Sequence, residues 1–137
     1  LKKDYIDTGK VHFTLREVYF DRYGLWAALV ARCGGEMKYF GIQDMLFAKQ
    51  AEWAASDDPA VVVENLKTLG RSAGLEDAAM DACLNDQANA EALITQFKTN
   101  FEADGVEGTP TLFINGTKYS NMAYEDLKPI LDAELAK

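Results

Sequence analysis

Apolar residues recur at the spacing of amphipathic helices through the middle of this sequence, whereas strand-like segments lie only toward its two ends. Residues 11–20 are rich in β-branched and aromatic side chains, which predicts a strand. Residues 111–114 and 117–119 predict a hairpin, because the Asn115-Gly116 pair between them favours a two-residue turn. Between these strands the pattern predicts five helices, over residues 22–33, about 36–55, 59–70, 76–84 and 89–103.

The two ends of the chain are also predicted to be helical. Residues 124–135 carry apolar side chains on one helical face, and Pro129 lacks the N–H of one helical hydrogen bond, so this helix is expected to start late or to bend. Residues 1–6 have helical spacing but show no residue that could cap a helix start, and Gly9 is typical of a helix end. We therefore expect the opening residues to be the last turns of a helix that begins upstream of Leu1.

Composition and charge narrow the class of protein. The 137 residues suffice for one domain with a core, and no apolar run reaches the roughly 18 residues of a membrane-spanning helix. A net charge of -8 argues against nucleic acid as a partner, because such a surface repels phosphates. One histidine, His12, and two cysteines offer few ligands, so we predict no metal site and no cofactor.

The order of the predicted elements indicates a small α/β unit interrupted by a helical insertion. One crossover helix normally joins two strands of a parallel sheet, but here some eighty residues of helix separate them. We assign residues 1–20 and 105–137 to the α/β unit and residues 21–104 to the inserted subdomain. Within the insertion the aromatic residues fall at helical spacings and are expected in the core; these are Tyr39, Phe40, Phe47 and Trp53.

The segment from Gly105 to Gly116, which reads GVEGTPTLFING, resembles the segment that closes the active site in thioredoxin-fold proteins of the DsbA-like family. The resemblance covers nearly the whole chain and implies an α/β thioredoxin-like fold with a large inserted helical subdomain. Further similarities follow the family's order and comprise residues 1–5 and 8–11, Ala27-Ala28, Cys33, Leu46-Phe47, Gln50, Trp53 and Tyr124-Glu125.

This resemblance implies a substrate site and an activity. In that family the proline after the threonine is cis and the neighbouring backbone pairs with the substrate, so Gly108, Thr109 and Pro110 are expected to bind it. Most X-Pro bonds are trans, and only the surrounding motif favours cis here. The implied function is a thiol–disulfide oxidoreductase that acts on cysteine-containing exported proteins or peptides. A membrane or soluble redox partner and a location in the bacterial periplasm or cell envelope are implied with it.

The sequence also departs from the family. The dithiol motif Cys-x-x-Cys is expected just upstream of Leu1, so we predict no catalytic residue within the 137 residues and no activity of this chain alone. The first, central strand is missing too, and we expect a gap or a partner's strand between residues 11–20 and 111–114. The alternatives are a redox-inactive peptide-binding or chaperone module, or a glutathione-dependent isomerase or transferase of the same fold.

The two cysteines present, Cys33 and Cys83, lie too far apart in sequence to form the redox motif. They are either a structural disulfide within the helical insertion or two buried free thiols, since cysteine packs as a small apolar residue. The implied export to an oxidising compartment favours the disulfide.

Overall fold

The structure of this protein, a computed structural model, describes residues 1–137. It is largely helical, with one antiparallel sheet of two strands near the C-terminus. A single turn of π-helix occupies Lys2–Ile6, and Gly9 follows it with a φ of 72°. The other elements are α1 (Arg22–Cys33), α2 (Glu36–Ala48), α3 (Gln50–Trp53), α4 (Pro59–Ser72), α5 (Asp77–Leu84), α6 (Gln87–Ala103), β1 (Thr111–Ile114), β2 (Thr117–Ser120) and α7 (Tyr124–Leu135).

Two of the helices begin where the sequence supplies a capping carboxylate. The side chain of Asp21 accepts a hydrogen bond from the backbone N–H of Gly24 at 2.9 Å, in the first turn of α1. At the start of α4, Asp58 accepts one from the N–H of Ala60 at 2.9 Å, and Pro59 takes the first helical position. Both groups satisfy backbone donors that have no partner inside the helix, which confirms the predicted starts.

The single helix predicted over residues 36–55 is wrong in one respect, because Lys49 separates α2 from α3. The indole N–H of Trp53 donates to the carbonyl of Leu46 at 2.8 Å. That carbonyl lies in the last turn of α2, where carbonyl groups lack intrahelical partners. The buried Trp53 therefore satisfies the end of α2 and holds α3 against it.

The chain forms two compact units, one of residues 17–99 and one of residues 1–16 and 100–137. In the helical unit, residues 17–99, α1 packs against α2, α4 and α5 and is buried through residues 27–31. Its core is aliphatic apart from Trp53 and the thioether of Met80. The buried members of this core are Ala27, Val30, Ala31, Ile42, Leu46, Trp53, Val62, Leu66, Leu69, Leu75 and Met80.

The aromatic residues of the insertion divide between core and surface. Trp53 is buried and Tyr39 packs partly buried against the core, as predicted. The prediction is wrong for Phe40 and Phe47, which are 49% and 69% exposed. The reason is that α2 is apolar on more than one face, and the core takes the face that carries Ile42 and Leu46.

The second compact unit, residues 1–16 and 100–137, contains the hairpin and α7. From here on, the name α/β unit refers to these residues. β1 and β2 pair antiparallel from Thr111 opposite Ser120 to Ile114 opposite Thr117, which confirms the predicted hairpin. Asn115 and Gly116 have φ values of 48° and 84°, the left-handed conformations that a tight hairpin turn requires.

The strand predicted over residues 11–20 is wrong, because these residues belong to no strand. A strand exists only when its backbone N–H and C=O groups pair with a neighbouring strand, and the one sheet of the structure joins β1 to β2. β-branched and aromatic residues favour extended backbone, but a strand also needs a neighbouring strand to pair with.

Helix α7 begins at Tyr124, so of the two expected outcomes the late start does not occur, and the bend at Pro129 stays a prediction. The phenol of Tyr124 donates a hydrogen bond to Asp4 at 2.5 Å, and the phenol of Tyr5 donates one to Asp132 at 2.5 Å. These two bonds tie the first turn and a later turn of α7 to the N-terminal residues. Pro129 lies between them, exposed, inside the helix.

Candidate functional site

The loop that precedes β1, residues 105–110, follows directly from the end of α6. Gly105 has a φ of 59°, which reverses the chain after the helix. The backbone N–H of Val106 donates to the carbonyl of Phe101 at 3.0 Å. The ammonium group of Lys118, on β2, donates to the carbonyl of Gly105. Helix and hairpin thus hold the first half of the loop from both sides.

The second half of this loop contains the three residues predicted to bind substrate. The Thr109–Pro110 peptide bond is cis, and both residues are exposed, while Gly108 is half-buried. The hydroxyl of Thr111 donates to the carbonyl of Gly108 at 2.6 Å. All three predicted residues are therefore adjacent at the N-terminal end of β1.

The backbone of Thr109 makes no hydrogen bond within the chain. Thr109 is exposed and lies next to a strand that pairs on one side only, with β2. An extended peptide can pair with backbone N–H and C=O groups as an added strand does, and main-chain hydrogen bonds then supply affinity for any side-chain sequence. The loop can therefore bind an extended segment through backbone atoms.

Cys33 and Cys83 form a disulfide with a Cα–Cα distance of 5.9 Å, the alternative that the implied export favours. It joins the last residue of α1 to α5 within the helical unit, and no free cysteine is present among residues 1–137. These residues therefore carry no free thiol that could act as a nucleophile. The bridge is placed to hold α5 on the helical core.

A partly buried polar cluster in the helical unit was not predicted from the sequence. The carboxylate of Glu17 pairs with the guanidinium of Arg32 and accepts a hydrogen bond from the amide of Gln43 at 3.2 Å. That amide also donates to the phenol oxygen of Tyr39 at 3.1 Å. Burial, and after it the negative charge of Glu17, raises the pKa of Tyr19 to about 12. The sequence offered one signal for this cluster, a glutamate within an apolar segment. A carboxylate that is removed from water needs a polar or charged partner.

Neither a metal centre nor a membrane span accompanies the loop. No three His, Cys, Asp or Glu side chains come together in a way that could hold a metal ion, and His12 is exposed. No helix has both the length and the apolar character needed to cross a bilayer.

Comparison with known proteins identifies a family and several relatives. A family model described as Thioredoxin matches residues 1–133. A protein of Rickettsia felis is 33% identical over 138 residues, covering 98% of this chain and 48% of that protein. A protein of Rickettsia typhi is 31% identical over 136 residues, covering 98% of this chain and 49% of that protein. Both are named "Putative protein-disulfide oxidoreductase".

The chain spans about half the length of the curated relatives it matches. No solved structure shows a significant match to it. The family model covers all but the last four residues, and the hairpin, the loop before it and the helical insertion lie within the matched range. The chain belongs to the thioredoxin family.

Proposed function

We propose that this chain is the substrate-binding and structural part of a DsbA-like thiol–disulfide oxidoreductase that acts on cysteines of exported proteins in the bacterial periplasm or cell envelope. The observation that carries the proposal is the match to the thioredoxin family across residues 1–133. The names of the two relatives support the reaction class, since both include the words protein-disulfide oxidoreductase.

In the proposed reaction, a thiolate of one partner attacks a disulfide sulfur of the other. A mixed disulfide forms and one thiolate leaves. A second thiolate then breaks the mixed disulfide, so that two electrons pass between protein and substrate and one disulfide is exchanged for another. The residues Gly108, Thr109 and Pro110 hold the substrate segment extended while its cysteine reacts.

The dithiol is the part of this proposal that residues 1–137 do not supply. Their only cysteines are joined in the Cys33–Cys83 disulfide. The proposal therefore rests on a Cys-x-x-Cys motif preceding Leu1. The helix N-terminus that carries this motif would lower the pKa of the nucleophilic cysteine thiol. The competing function is a redox-inactive peptide-binding module, which the cysteine content of these residues favours.

Thiol counting on the natural polypeptide separates the two functions. We expect alkylation after reduction to modify four cysteines, and the protein to exchange disulfides with a cysteine-containing peptide. The matched control is the Cys33→Ala/Cys83→Ala variant, which removes the bridge and should retain exchange while its helical circular dichroism shows a folded chain. Only two alkylated cysteines, or loss of exchange in the folded control variant, would contradict the proposed dithiol.

A further inference from the structure

The charges around residues 105–110 do not balance. The residues that are charged at neutral pH between the last turn of α6 and the end of β2 are Glu102, Asp104, Glu107 and Lys118. Asp104 pairs with Arg16 at 2.7 Å, and Lys118 donates to the carbonyl of Gly105. Glu102 and Glu107 are exposed and have no side-chain partner within the chain. Three carboxylates stand against two cations, Arg16 and Lys118, so this segment carries a net charge of -1.

Of these two carboxylates, Glu107 is the nearer in sequence to the open backbone of Thr109. Two residues separate their Cα atoms by no more than about 8 Å, because consecutive Cα atoms are about 3.8 Å apart. Electrostatic screening in 0.1 M salt acts over about 10 Å, so the charge of Glu107 reaches a peptide paired at Thr109. A substrate residue beside the bound cysteine therefore lies within its field.

We propose that Glu107 makes the loop prefer substrate segments that carry Lys or Arg next to the reacting cysteine. This inference rests on the proposed function, since it describes the substrate class of the same site. Two unit charges about 7 Å apart in water change an affinity by about threefold. The carboxylate of Glu107 attracts cationic segments and repels acidic ones, so an uncharged segment is expected to bind with intermediate affinity.

Three fluorescent peptides test the preference without any thiol chemistry. Each is a short extended segment with serine in place of cysteine, flanked by Lys, Gln or Glu. Their dissociation constants for the full natural polypeptide are measured by fluorescence anisotropy. We expect the Lys peptide to bind about threefold more tightly than the Gln peptide, and the Glu peptide about threefold more weakly. The differences should disappear in about 0.5 M salt.

Two variants assign the preference to one carboxylate. Glu107→Gln should bring the affinities of the Lys and Glu peptides together. Glu36→Gln removes the same unit of charge from an exposed, unpaired residue in the first turn of α2 and should leave the ratio unchanged. Both positions are exposed, and circular dichroism checks that the variants keep their helical content.

The outcomes are distinguishable. Equal affinities for all three peptides would overturn the charge preference and leave the proposed binding loop intact. An equal effect of Glu36→Gln and Glu107→Gln would also overturn it, because the net charge of the protein would then be the cause. If even the Gln peptide fails to bind, the peptide-binding loop itself is wrong, and the preference falls with it.

Discussion

The helical unit and the α/β unit bury very different amounts of apolar side chain. Fourteen of the sixteen buried apolar residues lie in residues 17–99, and only Tyr5 and Leu131 lie in the rest. The α/β unit is instead held by polar bonds between distant residues, such as Tyr5 to Asp132 and Asn115 to Glu134.

This difference indicates how the two units divide their roles. Buried apolar area is the main source of stability, so the helical unit supplies most of it. Binding loops usually belong to the less stable parts of a protein, and the proposed binding loop, residues 105–110, lies in the unit with the smaller core.

The disulfide should give the largest effect, and in the helical unit alone. Cys33 and Cys83 are 50 positions apart, and a loop of that length makes the bridge worth about 4 kcal/mol through the entropy of the unfolded chain. We expect Cys33→Ala/Cys83→Ala to lower the free energy of unfolding by about that amount, measured by urea denaturation followed by helical circular dichroism. Amide exchange in residues 111–120 should be unchanged. Faster exchange there would contradict the separation of the two units.

Truncation of one leucine in each unit measures the difference in packing. Leu66 is fully buried in the helical core, and Leu66→Ala should cost about 3 kcal/mol in unfolding free energy because it leaves a cavity. Leu131 is 5% exposed, and its neighbours Leu127 and Ile130 are only half-buried, so the space left by Leu131→Ala can collapse. We expect a cost of about 2 kcal/mol there. A larger loss for Leu131→Ala would reverse the comparison.

Two tyrosines, one in each unit, should have a similarly raised pKa, for different physical reasons. Burial raises the pKa of Tyr19 to about 12, whereas the hydrogen bond donated to the Asp4 carboxylate raises the pKa of Tyr124 to about 12. Asp4→Asn should return the pKa of Tyr124 toward 10 and leave that of Tyr19 unchanged. Ultraviolet titration of the phenolate groups, with Tyr19→Phe and Tyr124→Phe for assignment, provides the measurement.

The same shifts predict how stability depends on pH. A tyrosine whose pKa is higher in the folded chain than in the unfolded chain contributes stability below pH 10, and that contribution is lost as the pH rises toward 12. The loss should therefore begin near pH 10 in the unchanged protein and be reduced in each Tyr→Phe variant. An unfolding free energy that is constant between pH 10 and 12 would show that neither phenol is coupled to folding.

Local chemistry made several elements predictable. The carboxylates of Asp21 and Asp58 stand directly before helical patterns, and capping depends on only three or four residues. The Asn115-Gly116 turn is equally local, because both residues adopt left-handed conformations at low cost. The loop of residues 105–110 was found for a different reason, since its residues resemble a family motif. Its cis bond was expected from that resemblance alone.

The errors come from interactions between distant residues. Residues 11–20 have the composition of a strand, yet no strand pairs with them. Phe40 and Phe47 have the spacing of core residues, but α2 is apolar on several faces and only the packing of α1 and α4 chooses one. The Glu17–Arg32 pair was missed because it joins an extended segment to a helix fifteen residues later.

The sequence by itself determined where most helices begin, where the hairpin turns and which loop resembles a substrate site, because each depends on a few neighbouring residues. The tertiary structure decided which aromatic residues are buried, which extended segment becomes a strand and which carboxylate of the loop is left unpaired. Those outcomes depend on partners that are distant in sequence, and burial and pairing energies act only between groups that the fold has brought together.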